Sequence, residues 1–256
     1  MTRKSFETFY YLKDQSVHNV QIIQNEYKNK NGNILLYKGY IRCPECKTAE
    51  LSFTHKTSLR KAFLSKLPTS EHAEGCSYIH NYASNKKLKD FVGNMNNEKI
   101  RERLESALNR LYRSQDTLSL NNQNNNEKNP FILRTNTSTK IMHNCIPRKS
   151  LNGWLDREDE GNVYIFYGEV KLKVEEIIRR NSTVSEKPIY KLIIRTYRKK
   201  EDQWIDKTNI YRNTIKDDID ENAIYQIAIF GHIEFYKEYP QIKSENLYSI
   251  FFREKA

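Results

Sequence analysis

The stretch "CPECKTAELSFTHKTSLRKAFLSKLPTSEHAEGC", residues 43–76, holds three of the four cysteines in a chain of 256 residues. Cys43 and Cys46 are spaced C-x2-C, which lets a tight knuckle turn two thiolates toward one ion. His72 and Cys76, spaced H-x3-C, reach the same ion from one turn of chain. Three sulfurs and one imidazole suit tetrahedral zinc, and four protein ligands leave no open position for a reacting water. The spacing therefore predicts a structural Zn2+ held by Cys43, Cys46, His72 and Cys76. His80, four residues beyond Cys76, is the alternative fourth ligand, and His55 is a further one. Cys145 stands apart and reads as a small buried hydrophobe.

Upstream, "FETFYYL", "VHNVQIIQ" and "ILLYKGYIRC" read as strands, with Asn31 and Gly32 supplying the positive φ of a hairpin turn between the last two. Inside the quoted stretch, "TSLRKAFLSKL" carries Leu59, Ala62, Phe63 and Leu67 at helical spacing, and Pro68 follows. The expectation is a metal that clamps this helix onto the hairpin.

Charged residues make up 29% and hydrophobic ones 38% of the chain, a composition that folds and does not stay disordered. The net charge of +11 points to a polyanionic partner, nucleic acid before a membrane surface. Residues 1–145 carry 23 basic against 13 acidic side chains, and residues 146–256 carry 20 against 19. No apolar run is long enough to span a membrane. The N-terminal "MTRKSFETFYYLKD" lacks the apolar centre of a signal peptide. A cytoplasmic location is expected, where thiols stay reduced and clustered cysteines serve as ligands.

A second helix is predicted in "NNEKIRERLESALNRLYRS". Ile100, Leu104, Ala107, Leu108 and Leu111 form its apolar stripe, and Arg101, Arg103, Arg110 and Arg113 decorate the remainder. The Asn-rich "SLNNQNNNEKNPF" reads as linker. From about Ile146 the sequence turns to β signals in "NVYIFYGEVKLKVEEI", "PIYKLIIRTYR", "AIYQIAIFGHIEFYKEY" and "NLYSIFFRE". The reading is an α+β protein: a basic, zinc-stabilised hairpin-plus-helix module over 1–115, a linker over 116–145 and an all-β domain over 146–256.

Two resemblances are carried by these residues. The C-P-x-C pair followed by a His and a Cys, from about Arg42 to Cys76, resembles the N-terminal zinc segments of CoiA-like proteins. Residues from about 150 to 255 resemble OB-fold single-stranded-DNA-binding domains. A long first strand with a glycine, "YGEVKLKV", is followed by "YKLIIRTY", a basic loop "RKKEDQW" and "AIYQIAIFGHIEF", with Gly231 at the family's glycine; "LYSIFF" is the expected closing strand. The OB resemblance implies bases stacked on aromatics beside a basic groove. The candidate platforms are Tyr190, Tyr197, Trp204, Tyr211 and Phe166, with Trp204 leading because it sits among charged residues, and Arg195, Arg198, Lys199 and Lys200 are the candidates for phosphates.

The functional expectation is a nucleic-acid-binding protein without catalytic activity, with single strands favoured, phosphate contacts from the arginine-rich helix and the loop beside Trp204, and a structural zinc. The alternative is an adaptor or inhibitor that binds a protein of a nucleic-acid machine. A third reading is a metal-dependent nuclease, because "GEVK" puts Glu169 and Lys171 on one strand face in the E-x-K pattern of restriction-type nucleases, with Asp156 or Asp159 as the upstream acid.

Overall fold

The computed structural model describes residues 4–112, 129–136, 141–177, 187–199 and 201–255. They group into two units interleaved along the chain: residues 1–83 with 109–146, and residues 84–108 with 147–256.

In the first unit, strands β1 (Thr8–Tyr11), β2 (Ser16–Asn19) and β3 (Ile41–Arg42) form a sheet in the order β2-β1-β3, and helix α1 (Val20–Asn29) lies between β2 and β3 in sequence. A hairpin of β4 (Leu51–Thr54) and β5 (Phe63–Lys66) joins this sheet through Phe6, which exchanges both backbone hydrogen bonds with Leu64. Phe9, Ile23, Leu51, Leu64, Cys43 and Cys76 share one core. Fully burying each large apolar side chain contributes about 1.5–3 kcal/mol.

The local elements here differ from the sequence expectation. "VHNVQIIQ" is a strand only to Asn19, whose side chain accepts from the Gln21 N–H at 2.9 Å and starts α1. Val20, Ile23 and Gln24 then face inward at helical spacing. Asn31 (φ 49) and Gly32 (φ 89) do take positive φ, but they end a helix and do not turn a hairpin: the Gly32 N–H donates to the Tyr27 carbonyl. Of "ILLYKGYIRC" only Ile41 and Arg42 are paired; residues 35–40 are turns. The predicted helix in "TSLRKAFLSKL" is instead a turn and strand β5. Phe53 lies opposite Leu64 and Thr54 opposite Phe63, and Leu59, expected on the buried face, is 96% exposed. A helix thus precedes the knuckle and a hairpin follows it, the reverse of the expected order.

The α2 (Asn85–Gly93) and α3 (Asn97–Tyr112) helices follow. The α3 stripe of Ile100, Leu104, Ala107, Leu108 and Leu111 is buried as the periodicity predicts. Of the expected linker 116–145, residues 116–128 and 137–140 lie outside the described residues. Within the remainder, β6 (Ile132–Asn136) and β7 (Ile141–Cys145) form a hairpin, which bridges from Cys145 to Tyr82 in the first unit.

The second unit is built on β8 (Arg148–Ser150), β9 (Val163–Glu176), β10 (Tyr190–Arg198), β11 (Gln203–Asn213), β12 (Tyr225–Tyr236), β13 (Tyr239–Ser244) and β14 (Ile250–Glu254). Five of these close into a barrel in the ring order β9-β10-β11-β13-β12 and back to β9. β9 achieves closure by serving two partners: its first half pairs with β12 and its second half with β10. β11 and β13 run parallel, and the other ring pairs are antiparallel. Phe166, Leu172, Leu192, Ile194, Ile210, Ile227 and Ile229 fill the interior. The expected closing strand "LYSIFF" yields β14, which pairs only with β12 outside the ring; β13, whose "YPQIKS" carries a proline, closes the barrel.

Gly231 of β12 pairs with Ser244 of β13. A Cβ there would lie 2.3 Å from the Lys243 carbonyl oxygen, a backbone atom that cannot step aside. Gly231→Ala is expected to lower the stability of the second unit by about 1–3 kcal/mol through overpacking. A thermal melt in which the variant keeps the wild-type midpoint would show that the two strands spread at no cost.

Candidate metal centre and barrel face

The Cys/His cluster grows from the end of β3. Arg42 bridges to Glu50, and between them the chain folds into a knuckle: the Cys43 N–H donates to the Ala49 carbonyl at 2.8 Å, and the Lys47 N–H to the Cys43 carbonyl at 2.9 Å. Lys47 takes φ 57, the left-handed conformation that lets the chain reverse immediately after Cys46. A second turn, closed by the Cys76 N–H on the Ala73 carbonyl, brings back His72 and Cys76.

The four ligand atoms of Cys43, Cys46, His72 and Cys76 all lie within 4.8 Å of one another. Cys43 and Cys76 sulfurs are 4.0 Å apart, and His72 Nδ1 is 3.5 Å from the sulfurs of both Cys46 and Cys76. Metal–sulfur bonds of about 2.3 Å and a metal–nitrogen bond of about 2.0 Å place tetrahedral ligand atoms about 3.5–3.8 Å apart, so a small cation fits the cage. Of the alternatives, His80 packs against His143 with ring centroids 5.3 Å apart, and His55 stacks on Tyr27 at 4.8 Å. Neither joins the cluster. Among the described residues this is the one group of three or more such ligating side chains.

The thiols do not titrate independently. Burial pushes Cys43 well above the usual thiol range. Hydrogen bonds from Cys43 and Cys76 pull Cys46 far down, while Cys43 and Cys46 hold Cys76 far up. Three thiolates crowded into so small a space repel one another, and a bound cation is what offsets that repulsion.

Sequence reading missed Glu45, the residue between the two knuckle ligands. It is 1% exposed. One carboxylate oxygen accepts from the Ser77 N–H at 2.8 Å, from Asn129 Nδ2 at 2.7 Å and from Arg110 Nε at 3.3 Å, and the other from Ser77 Oγ at 2.6 Å. Glu45 thereby ties the knuckle to the residue after Cys76, to the last turn of α3 and to Asn129, three residues before β6. The signal available was an acid set between the two cysteines of the C-x2-C pair, but spacing gives no hint of its distant donors.

The predicted phosphate-binding arginines have varied settings. Arg110 is engaged with Glu45 and with the Gly75 carbonyl. Arg103 is half-buried with its guanidinium 4.7 Å from the Phe91 ring centroid, and burial lowers its pKa to about 10. Arg101 is exposed and lies over Phe251 at 5.6 Å. Arg113 and Lys200 lie outside the described residues. Arg195 pairs with Asp206 at 3.2 Å and donates to the Trp204 carbonyl, Arg198 pairs with Glu201 at 2.6 Å, and Lys199 is exposed.

Trp204 lies in β11 and not in the expected loop. It stands directly opposite Tyr197 of β10, with ring centroids 5.7 Å apart, and the Lys171 ammonium sits 5.6 Å above its ring. The outward face of β9, β10 and β11 thus gathers Lys171, Arg195, Tyr197 and Trp204. Glu169 pairs with Lys255 at 2.8 Å, and Asp159, one of the two expected upstream acids, is held by Lys149 at 2.9 Å.

Comparison with protein-family models, with curated proteins and with solved structures finds no match to this chain. Among the described residues no helix is long and apolar enough to cross a membrane.

Proposed function

We propose that the protein binds single-stranded nucleic acid through an OB-type barrel and carries one structural zinc in its first unit. The observation that carries the binding reading is the Tyr197 and Trp204 pair under Lys171 on the outer face of the barrel. With β9 to β13 taken as strands one to five, the ring order is 1-2-3-5-4 with strands three and five parallel, which supports the OB reading. In that fold the face of strands two and three is where oligonucleotides lie. Bases stack on aromatic rings of any sequence context, and a nearby ammonium neutralises phosphate. Zinc is supported by the donor set, since three thiolates with one imidazole select a borderline-soft ion over magnesium or calcium.

The test is a fluorescence-anisotropy titration of single-stranded DNA, duplex DNA and RNA at two salt concentrations. Trp204→Ala is expected to weaken single-strand binding by about 1–3 kcal/mol, with duplex binding unchanged. Equal single-strand affinity of variant and wild type would remove Trp204 from the site. The second reading, an adaptor that binds a protein, is favoured by the local neutralisation on this face: Arg195 with Asp206, and Lys173 and Lys191 both with Glu175. Absence of binding to every nucleic acid would select it. Magnesium-dependent cleavage abolished by Glu169→Ala would instead select the nuclease.

A further inference from the structure

We propose that the tip of the β4 and β5 hairpin is a second nucleic-acid contact, a finger that enters the major groove of duplex DNA. This rests on the nucleic-acid reading above but uses a different surface and a different form of the ligand.

Beyond the last ladder pair, Thr54 with Phe63, residues 55–61 are all exposed. The tip is closed by a turn in which the Thr57 N–H donates to the Arg60 carbonyl at 2.8 Å, and the Leu59 N–H reaches Thr57 Oγ1. Leu59 at its apex is 96% exposed, the most exposed large apolar side chain among the described residues. Around it stand Lys56, Arg60 and Lys61. Residues 51–70 contain no acidic side chain, so the tip is uniformly positive. The unit that bears it holds 17 basic against 9 acidic residues, the other unit 26 against 23.

The finger is braced at its base. His55 stacks on Tyr27 of α1 with the rings 6° from parallel, and the Lys56 N–H donates to the side chain of buried Gln24 at 2.7 Å. Arg60 lies over Phe63 at 4.7 Å. A positive loop held this way has its ordering cost met before a ligand arrives.

Shape selects among polyanions. Two strands about 4.8 Å apart, with side chains, make a ribbon roughly 10 Å wide. B-form DNA has a major groove about 12 Å wide and about 8.5 Å deep that admits such a ribbon. The deep, narrow major groove of duplex RNA does not. In that position the three cations face the two phosphate walls, and Leu59 points at the groove floor, where thymine methyl groups offer the apolar contact.

The test uses the full chain and three labelled probes: a DNA duplex of about 20 bp, the RNA duplex of the same sequence, and oligodeoxythymidine. The triple variant Lys56→Ala, Arg60→Ala, Lys61→Ala is expected to weaken DNA-duplex binding about tenfold or more at low salt. The slope of log affinity against log salt should flatten by about 2–3, at about 0.9 per lost phosphate contact. Oligodeoxythymidine binding should stay within about twofold, and Leu59→Ser should weaken the duplex about threefold without changing the slope. Circular dichroism and metal content serve as folding controls for these exposed substitutions. A triple variant with wild-type duplex affinity and slope overturns the finger. So does a wild type that binds oligodeoxythymidine but no duplex, which leaves the barrel function standing. RNA duplex bound as tightly as DNA, with the same loss in the variant, overturns the groove assignment. A wild type that binds none of the three overturns the finger and the proposed function together.

Discussion

Cys43→Ser or Cys76→Ser is expected to unfold the first unit while leaving the barrel folded. Both side chains are fully buried and belong to the same core as Phe9, Ile23 and Leu64. Removing either sulfur strips a ligand from the cage and puts a hydroxyl into an apolar environment. A structural zinc site contributes about 10–16 kcal/mol of binding free energy in small metallo-domains, against a total stability of about 5–15 kcal/mol for a typical domain. Loss of one of four ligands therefore exceeds what the remaining packing can offset. Hydrogen exchange read by mass spectrometry checks this: the amides of β1, β4 and β5 should lose protection, and those of β9, β10 and β12 should keep it. Unchanged protection in β1 of the Cys76→Ser protein would mean that the cluster is an ordinary core of free thiols.

The second large effect is at Glu45. Glu45→Ala removes the carboxylate that accepts from the Ser77 N–H, the Ser77 hydroxyl, the Asn129 amide and the Arg110 guanidinium, of which the last two keep the Gly75 carbonyl. Removing one member of a buried, hydrogen-bonded charge pair costs about 3–5 kcal/mol, most of it from the partner left uncompensated. Arg110 retains some access to water, so the lower part of that range applies to its share. Glu45→Gln keeps the volume but turns an amide NH2 toward groups that are themselves donors, and is expected to recover only part of the loss. The readout is the urea midpoint of the first unit together with the rate at which a chelator extracts its metal. Glu45→Ala with a wild-type midpoint and extraction rate would show that the four donors find water at no cost.

The candidate metal centre was legible because ligand spacing is local. C-x2-C and H-x3-C each need only a turn of chain, and the structure brings all four atoms together. The α3 stripe and the long strands β9, β10 and β12 were legible for a similar reason, since each carries its own run of buried positions over many residues. What failed was short and decided by tertiary partners. Leu59, Ala62 and Phe63 fit a helical face by spacing, yet the pairing of Phe53 with Leu64 and the bonds between Phe6 and Leu64 fix the segment as a hairpin. In α1, the Asn19 cap outweighed an apparent β pattern, because a cap accounts for an otherwise orphaned N–H. β13 was hidden by Pro240, tolerated here because β13 is short and the proline lies near its start. Glu45 was beyond local reading, since its partners lie 32 or more residues away; Trp204 was named from the sequence, but its place in β11 beside Tyr197 and Lys171 depends on the pairing of other strands.

The charge partition is also changed by the fold. The basic first 145 residues include α2 and most of α3, which group with the barrel. Lys86, Lys87, Lys89 and Arg101 are exposed there, so the second unit is less neutral than its C-terminal sequence suggests. The finger at residues 55–61, by contrast, belongs to the first unit. If both proposals hold, the single-strand face of the barrel and the duplex finger fall in different units and are expected to show separate salt dependences.

Native mass spectrometry of the full chain, purified under reductant without added metal, decides whether a zinc ion holds the first unit together. The expected spectrum shows one zinc per chain, and no zinc in the Cys43→Ser, Cys76→Ser double variant. A wild-type chain that is folded, fully reduced and free of metal would contradict the clamp.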